Sequence, residues 1–498
     1  MSFTVDELYE NFSQISSENI SAVDKELAFK NIIQAATGEG NETKLACQFI
    51  CRLFSSFPAC KDQALNAVRQ LLKSSSPDIR KQAIHDLPVL TKQYPEKIAY
   101  VTNGMLELLA TEDHVELTLI HKTLLTLINQ CSNDCLDAIF TSIDRAVDSF
   151  IKKRIIGFIL TKSQHLIENS KFTDEVQTVI FKRAKESLLK SDSECFIGLV
   201  QFIQKLPACQ TLLARQDIIK CIIDRAQLDN HVDIQDTSRL VFLLSCIQHS
   251  LHLYSRNANS TAFTIFVIDE LCPNIIGSHW TVDERLQILR LLAALMVHCG
   301  KIEEDHDKRH EIVFELLEHY LHPPPEDPEA AVDPNFELSA LECVLYTYHS
   351  ICKMNPEYLM RNEVSNEQFK KFRVKLQYLG QAVQHYIKQL KHQNYTNTDD
   401  KDDNIRYTSL TICTNIHSMI RDFFHNPPSF KANIEFSWIA NKAEKRSSDA
   451  NTSNESSAKR FARPERSIYQ PNRVRKQRAK FAETPEMINR RQRFLNEQ

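Results

Sequence analysis

Residues 77–95, PDIRKQAIHDLPVLTKQYP, decide the fold, because residues 43–58 carry the same apolar spacing 37 positions earlier. The shift pairs Ala46 with Ala83, Cys47 with Ile84, Ile50 with Leu87, Leu53 with Leu90, Phe57 with Tyr94 and Pro58 with Pro95. A second shift lands on Ile120, Leu124 and Leu127, after which the register decays. Within each copy the apolar residues recur three and four apart, the spacing of one helical face. A period in this range, built from helices alone, is the signature of an α-solenoid. Each antiparallel helix hairpin has an apolar face that it cannot bury alone, so successive hairpins must stack and share a core. That fixes an all-α scaffold suited to binding; it does not name the partner.

Composition agrees. A chain of 498 residues is too long for one compact core, so either several domains or one repeat array is expected. Only eight glycines occur and none forms Gly-x-Gly, which leaves little material for tight hairpins or phosphate-cradling loops. No segment reaches the roughly 18 uninterrupted apolar residues of a membrane span, and the first ten residues, MSFTVDELYE, lack the basic and apolar regions of a secretion signal. A soluble chain that stays inside the cell, with no membrane partner, is expected. The fourteen cysteines are scattered through helical patterns, with Cys47, Cys51, Cys246 and Cys413 on faces expected to be buried. They read as small core residues of a reducing compartment.

The helical pattern runs through residues 4–15, 27–36, 45–57, 64–72, 79–90, 98–109, 115–128, 136–147, 151–167, 176–189 and 196–206. A looser set at 218–226, 238–252, 263–271, 282–298 and 311–320 has longer helices without the 37-residue period, so a change of repeat type is expected near Pro207. Residues 322–334, HPPPEDPEAAVDP, form a Pro-rich acidic surface loop. Helix resumes at 336–354, 366–393 and 405–424, and the alternation of Ile434, Phe436 and Trp438 suggests an extended strap at 430–439. Three regions follow: repeats at 1–206, a second helical region at 207–440, and a disordered basic tail at 441–498.

Charge is divided between body and tail. Residues 441–498 hold fifteen Lys or Arg against seven Asp or Glu, leaving 45 against 57 for residues 1–440. Within the tail, Lys445 and Arg446, then a twelve-residue spacer, then Lys459, Arg460 and Arg463 have the arrangement of a bipartite nuclear import signal. An import receptor is therefore an expected partner. A further cluster at Arg473, Arg475, Lys476, Arg478 and Lys480 would suit import or loose phosphate contacts with RNA.

No stretch supports an active site: Gly-x-Ser-x-Gly, His-Glu-x-x-His, Walker and kinase patterns are missing, and no cofactor is implied. His306 and His310 have metal-like spacing, but their run, KIEEDHDKRH, reads as a solvated charged turn. His85 and His298 read as core or boundary residues. Leu240-Val241-Phe242-Leu243-Leu244 matches a coactivator-docking pattern, yet reads as hairpin core. Phe369, Leu376, Val383 and Leu390 are spaced by seven, with Phe372, Leu379 and Tyr386 on the alternate seam. Gly380 interrupts this heptad helix, and internal packing is favoured over a coiled-coil dimer, so a monomer is expected. Its other face carries Lys370, Lys371, Arg373, Lys375, Lys388 and Lys391, a candidate basic partner surface.

Several runs are shared with one family. Residues 4–9 (TVDELY), 46–50 (ACQFI), 79–84 (IRKQAI), 343–349 (CVLYTYH), 376–378 (LQY), 386–390 (YIKQL), 422–430 (DFFHNPPSF) and Ser437-Trp438 resemble the apoptosis inhibitor 5 family, collinearly to about Trp438. The resemblance implies a scaffold that is HEAT-like in its first half and armadillo-like in its second. It implies a non-enzymatic nuclear protein, with some cytoplasmic presence, that suppresses apoptosis through partners. Those are acinus, shielded from the protease that cleaves it, and fibroblast growth factor 2, with a link to RNA export. An RNA-associated export adaptor using the basic tail is the alternative. Two positions depart from the family: the leucine heptad keeps only Leu376 and Leu390, and Arg256 stands where the family can present an acetylatable lysine.

Overall fold

Thr4 Oγ1 accepts a hydrogen bond from the Glu7 amide at 3.3 Å, and Glu7 Oε2 accepts from the Thr4 amide at 2.7 Å, so the first helix opens on a capping box. The structure, a computed structural model, describes residues 3–38, 40–168, 173–233, 236–277, 280–325, 336–359, 367–392 and 400–439. Contacts divide the chain into two units, Met1–Asn441 and Lys442–Gln498, and the described residues lie in the first.

Among the described residues the regular structure is helical. The first half comprises α1 Val5–Ser16, α2 Ala22–Ala35, α3 Asn41–Leu53, α4 Lys61–Gln70, α5 Pro77–Gln93, α6 Ile98–Glu107, α7 His114–Gln130, α8 Ser132–Arg145, α9 Ser149–Glu168, α10 Asp174–Lys190 and α11 Ser193–Lys205. It continues as α12 Leu212–Ala226, α13 Thr237–Ser250, α14 Thr261–Phe266, α15 Cys272–Ile275, α16 Val282–Met296, α17 His306–Tyr320, α18 Leu338–Met354, α19 Glu367–His392 and α20 Asp400–Phe423. A π-helical turn, Val267–Leu271, joins α14 to α15, separated by Cys272 from Pro273, which cannot donate to the helix ladder. No described helix is long and apolar enough to cross a membrane.

Most helices of the first half pack on the next but one as well as on a neighbour. One layer runs α1, α3, α5, α7; the other runs α2, α4 and then α6, α8, α10, α12. This is a solenoid of stacked hairpins, and the stacking passes Pro207 through α10 on α12 and α11 on α13. The repeat positions supply the shared core. Ala46 and Ala83, Cys47 and Ile84, Ile50 and Leu87, Leu90, Ile120, Leu124 and Leu127 are all fully buried, while Leu53, Phe57 and Tyr94 pack at its margin. Burying each large aliphatic side chain contributes about 1.5–3 kcal/mol, which the entropy of ordering the chain largely offsets.

Several polar groups inside the stack are paired across the repeat. Pro88, inside α5, cannot donate to the carbonyl of Ile84 four residues earlier; Thr123 Oγ1 of α7 donates to it instead at 3.3 Å. The Pro88 carbonyl in turn accepts from Gln130 Nε2 at 2.8 Å. Leu240 and Leu243 of α13 lie in the core, with Leu244 half-buried. All fourteen cysteines are free thiols; Cys47, Cys246 and Cys413 are buried and Cys51 is half-buried.

Two expectations need correction. His85 is exposed, and its neighbour Asp86 is the buried polar residue, accepting from Gln82 Nε2 at 2.7 Å. The run containing His306 and His310 is not a solvated turn. It starts α17, and His310 is fully buried, with Nε2 3.3 Å from Cys352 Sγ and the ring edge-on to Tyr348. Burial, then the neighbouring His306, brings its pKa down to about 3. No group of three or more His, Cys, Asp or Glu suited to a metal occurs among the described residues.

The last described segment closes the fold as a strap that is extended over 430–436, with alternate residues turned inward, and ends in a helical turn at 437–439 where the sequence predicts continued extension. Phe436 is buried, and Ile434 and Trp438 pack on the core, with Phe436 edge-on to Tyr346 at 4.8 Å. Two buried acids hold it. Asp422 Oδ2 accepts from the amides of Lys431 and Ala432, each at 2.7 Å, and lies 3.1 Å from His349 Nε2. Glu342 accepts from Asn415 Nδ2 at 2.6 Å and from Ser437 Oγ at 2.7 Å. Burial pushes the Asp422 carboxyl up, but the two amides and the His349 ring outweigh it and hold it below the usual range. Glu342 is raised by burial against the hydrogen bonds it receives.

Candidate partner-binding surface

From Gln368 to His392 the sequence contains six Lys or Arg and no Asp or Glu, and α19 sorts them from its apolar residues by helical period. Phe369, Phe372, Leu376, Leu379 and Val383 are buried, and Leu390 is half-buried. Phe369 stacks on Phe314 of α17 with ring centroids 5.1 Å apart, and Phe372 meets Tyr348 of α18 at 5.8 Å. The remainder of the stripe lies against α20. The heptad stripe therefore serves the chain's own core, which leaves no free seam for a zipper.

Gly380 does not interrupt the helix. It is buried against α20, where an added β-carbon would lie 3.4 Å from Ile420 Cγ2, an ordinary contact.

The basic residues occupy the other side. Lys370, Lys371, Arg373, Lys388 and Lys391 are exposed and Lys375 is half-buried. Lys370 and Lys388 lie eighteen residues apart, as do Arg373 and Lys391. That separation is about five helical turns, so the two pairs share one face roughly 27 Å apart. Between them the face shows the exposed Val374 and the amides of Gln377, Gln381 and Gln384.

Not all of the cations are equally available. Lys370 pairs with Glu367 at 3.1 Å, Lys375 with Glu318 of α17 at 3.4 Å, and the Arg373 guanidinium lies 5.2 Å over the Phe424 ring. No carboxylate among the described residues pairs with Lys371, Lys388 or Lys391. The parts that sequence reading missed are Glu318 and Phe424, since no local spacing ties them to α19. Lys445, Arg446, Lys459, Arg460 and Arg463 lie outside the described residues, as does most of the 322–334 loop. Arg256 is exposed, in a tight turn bracketed by Ser255 and Ala258.

Sequence comparison matches residues 5–497 to the apoptosis inhibitory protein 5 family. The chain belongs to that family. Its relatives include apoptosis inhibitor 5 of Gallus gallus, 30% identical over 487 residues that cover 94% of this chain and 92% of the relative. The Homo sapiens apoptosis inhibitor 5 is 30% identical over 488 residues, covering 94% and 92%. The Drosophila melanogaster apoptosis inhibitor 5 homolog is 29% identical over 450 residues, covering 88% and 83%. In this family member the heptad stripe is core and the lysine face is surface.

Proposed function

We propose that the chain is a non-enzymatic nuclear scaffold, with a cytoplasmic fraction, that restrains apoptosis as a monomer by holding protein partners on the exposed face of α19. The observation that carries this reading is the separation on one helix: a buried heptad stripe beneath a cationic face that includes Lys371, Lys388 and Lys391. A family of apoptosis inhibitors supplies the biological direction. A partner of the acinus type would lay an acidic segment along this face, and its bound segment would be closed to the protease that cleaves it. A fibroblast growth factor 2-type partner would need a different, acidic part of the body, whose sequence outside the tail carries the excess of carboxylates.

The test is binding of recombinant acinus to the full chain and to Lys388→Glu/Lys391→Glu, with helicity checked by circular dichroism. Loss of binding and of protease protection with unchanged helicity is expected. Unchanged binding would contradict the reading. Import through Lys445, Arg446, Lys459, Arg460 and Arg463 is checked by fusing residues 441–498 to a reporter, which should enter nuclei and fail to do so when these five become alanine.

The fifteen basic residues of 441–498 favour a second reading, an RNA-associated adaptor in messenger export. Salt-dependent RNA binding that disappears when 441–498 is removed would support it.

A further inference from the structure

A second surface lies on α7 and α9. His114, Val115, Thr118, Leu119 and Lys122 line an open concavity of about 490 Å³ along α7, with Val115 67% exposed. On α9, Phe150 is 48% exposed and the Arg154 guanidinium lies 5.1 Å over its ring. One turn on, Gly157 is exposed, and an added β-carbon there would have no atom within 4 Å, so the helix surface is open at this point.

The two helices meet at His121, whose ring is 5.1 Å from that of Phe158. Burial, then the charges of Lys162 and Arg154, lower the His121 pKa, which places both cations of α9 within electrostatic reach of α7.

The charge on this face is unbalanced. Of the nearby carboxylates, Glu116 is held by Arg80 and Asp113 caps α7 and pairs with Lys81 at 3.1 Å, while Asp148 accepts from the Phe150 amide at 2.8 Å and pairs with none of Lys122, Arg154 and Lys162. Lys122, Arg154 and Lys162 have no carboxylate partner among the described residues. Apolar side chains thus alternate with unneutralised cations across two helices that touch through His121 and Phe158. The lysine face of α19 differs, having Val374 as its exposed large apolar residue.

We infer that the α7–α9 face is a docking site for an acidic amphipathic peptide segment of a partner protein, its carboxylates on Lys122, Arg154 and Lys162 and its apolar side chains on Val115, Leu119 and Phe150. Three cations fit a short acidic peptide. A nucleic-acid strand held by phosphate contacts draws on about six to ten of them and on several stacking rings. This site is independent of the α19 reading and stands or falls separately.

The experiment measures fluorescence anisotropy of the full-length chain with a labelled synthetic peptide in which Glu and Asp, and Leu and Phe, recur three and four apart so that they form opposite faces of one helix. About sixteen residues suffice, since such a helix is about 24 Å long. The salt is near physiological so that loose charge attraction is screened. Three proteins are compared: wild type, Lys122→Glu/Arg154→Glu, and Lys388→Glu/Lys391→Glu, which carries the same change of charge on α19. The α7–α9 variant should bind about tenfold or more weakly, and the α19 variant within about twofold of wild type. Phe150→Ser, at an exposed position, should weaken this peptide and leave an all-acidic peptide unchanged. Equal weakening by the two charge variants, no binding by wild type, or tighter binding of a single-stranded RNA oligonucleotide that the α7–α9 variant also loses would overturn the proposal.

Discussion

Arg80 and Glu116, 36 residues apart and so within one residue of the 37-residue repeat, form a two-point ion pair at the joint between α5 and α7: Nε to Oε1 at 2.6 Å and Nη2 to Oε2 at 2.9 Å. Glu116 is fully buried, and Arg80 also donates to the Ser74 carbonyl at 2.9 Å, so one guanidinium ties two successive repeats and the turn between helices. Hydrogen bonding from Arg80 holds the Glu116 carboxyl below its usual range despite burial. Arg80→Ala leaves a buried carboxylate without its counter-charge, and a loss of about 3 kcal/mol is expected in urea unfolding. Because the folded pKa is lowered, this contribution is present above the unfolded value near about 4.3 and is lost as pH falls through the folded value.

Thr123→Val removes the hydroxyl that serves the Ile84 carbonyl in place of the amide that Pro88 lacks. The shapes are alike, so the change isolates one buried hydrogen bond. A loss of about 1–2 kcal/mol is expected, and Pro88→Ala in the same background should recover part of it by restoring the helical donor.

Gly380→Ala should raise stability by up to about 1 kcal/mol. The added methyl meets Ile420 at ordinary contact distance, and alanine gives up less backbone entropy in a helix than glycine. A fall in the thermal midpoint would mean that α19 and α20 lie closer than described.

Acidification below neutrality should unfold the chain progressively. His121, His249, His306, His310, His349 and His417 all have pKa values lowered chiefly by burial. Between the unfolded value of about 6.5 and each lowered value, the unfolded state takes a proton that the folded state refuses, so stability falls as pH falls. Melting midpoints should drop from pH 7.5 to pH 5.5, with His310→Phe reducing the slope; a midpoint independent of pH over that interval would contradict the buried placements.

The repeat was legible because Ile50, Leu87 and Leu124 obey a local rule, apolar residues at helical spacing, and all three are buried. The extended part of the strap was legible for the same reason, through the alternation at Ile434 and Phe436, but the helical turn at 437–439 that carries Trp438 was not. What escaped is polar and non-local. His85 and Asp86 are adjacent, and the choice of which one is buried depends on partners such as Cys47 Sγ, 3.3 Å from Asp86 Oδ2 but 39 residues away. His310 sits in a charged run, and its shell of Tyr348 and Cys352 arrives from α18. At the surface the six cations of α19 were readable in sequence. The pairing of Lys375 with Glu318, and the cluster uniting His121 with Arg154 and Lys162, required the packing.

Sedimentation equilibrium of the wild-type chain beside Leu376→Glu, with each melted in parallel, bears most directly on whether α19 keeps its heptad stripe for the core and its cations for partners. The expected result is a wild-type mass of one chain and a variant that loses stability without any change of assembly. A wild-type dimer that Leu376→Glu converts into a folded monomer with an unaltered melting midpoint would contradict it.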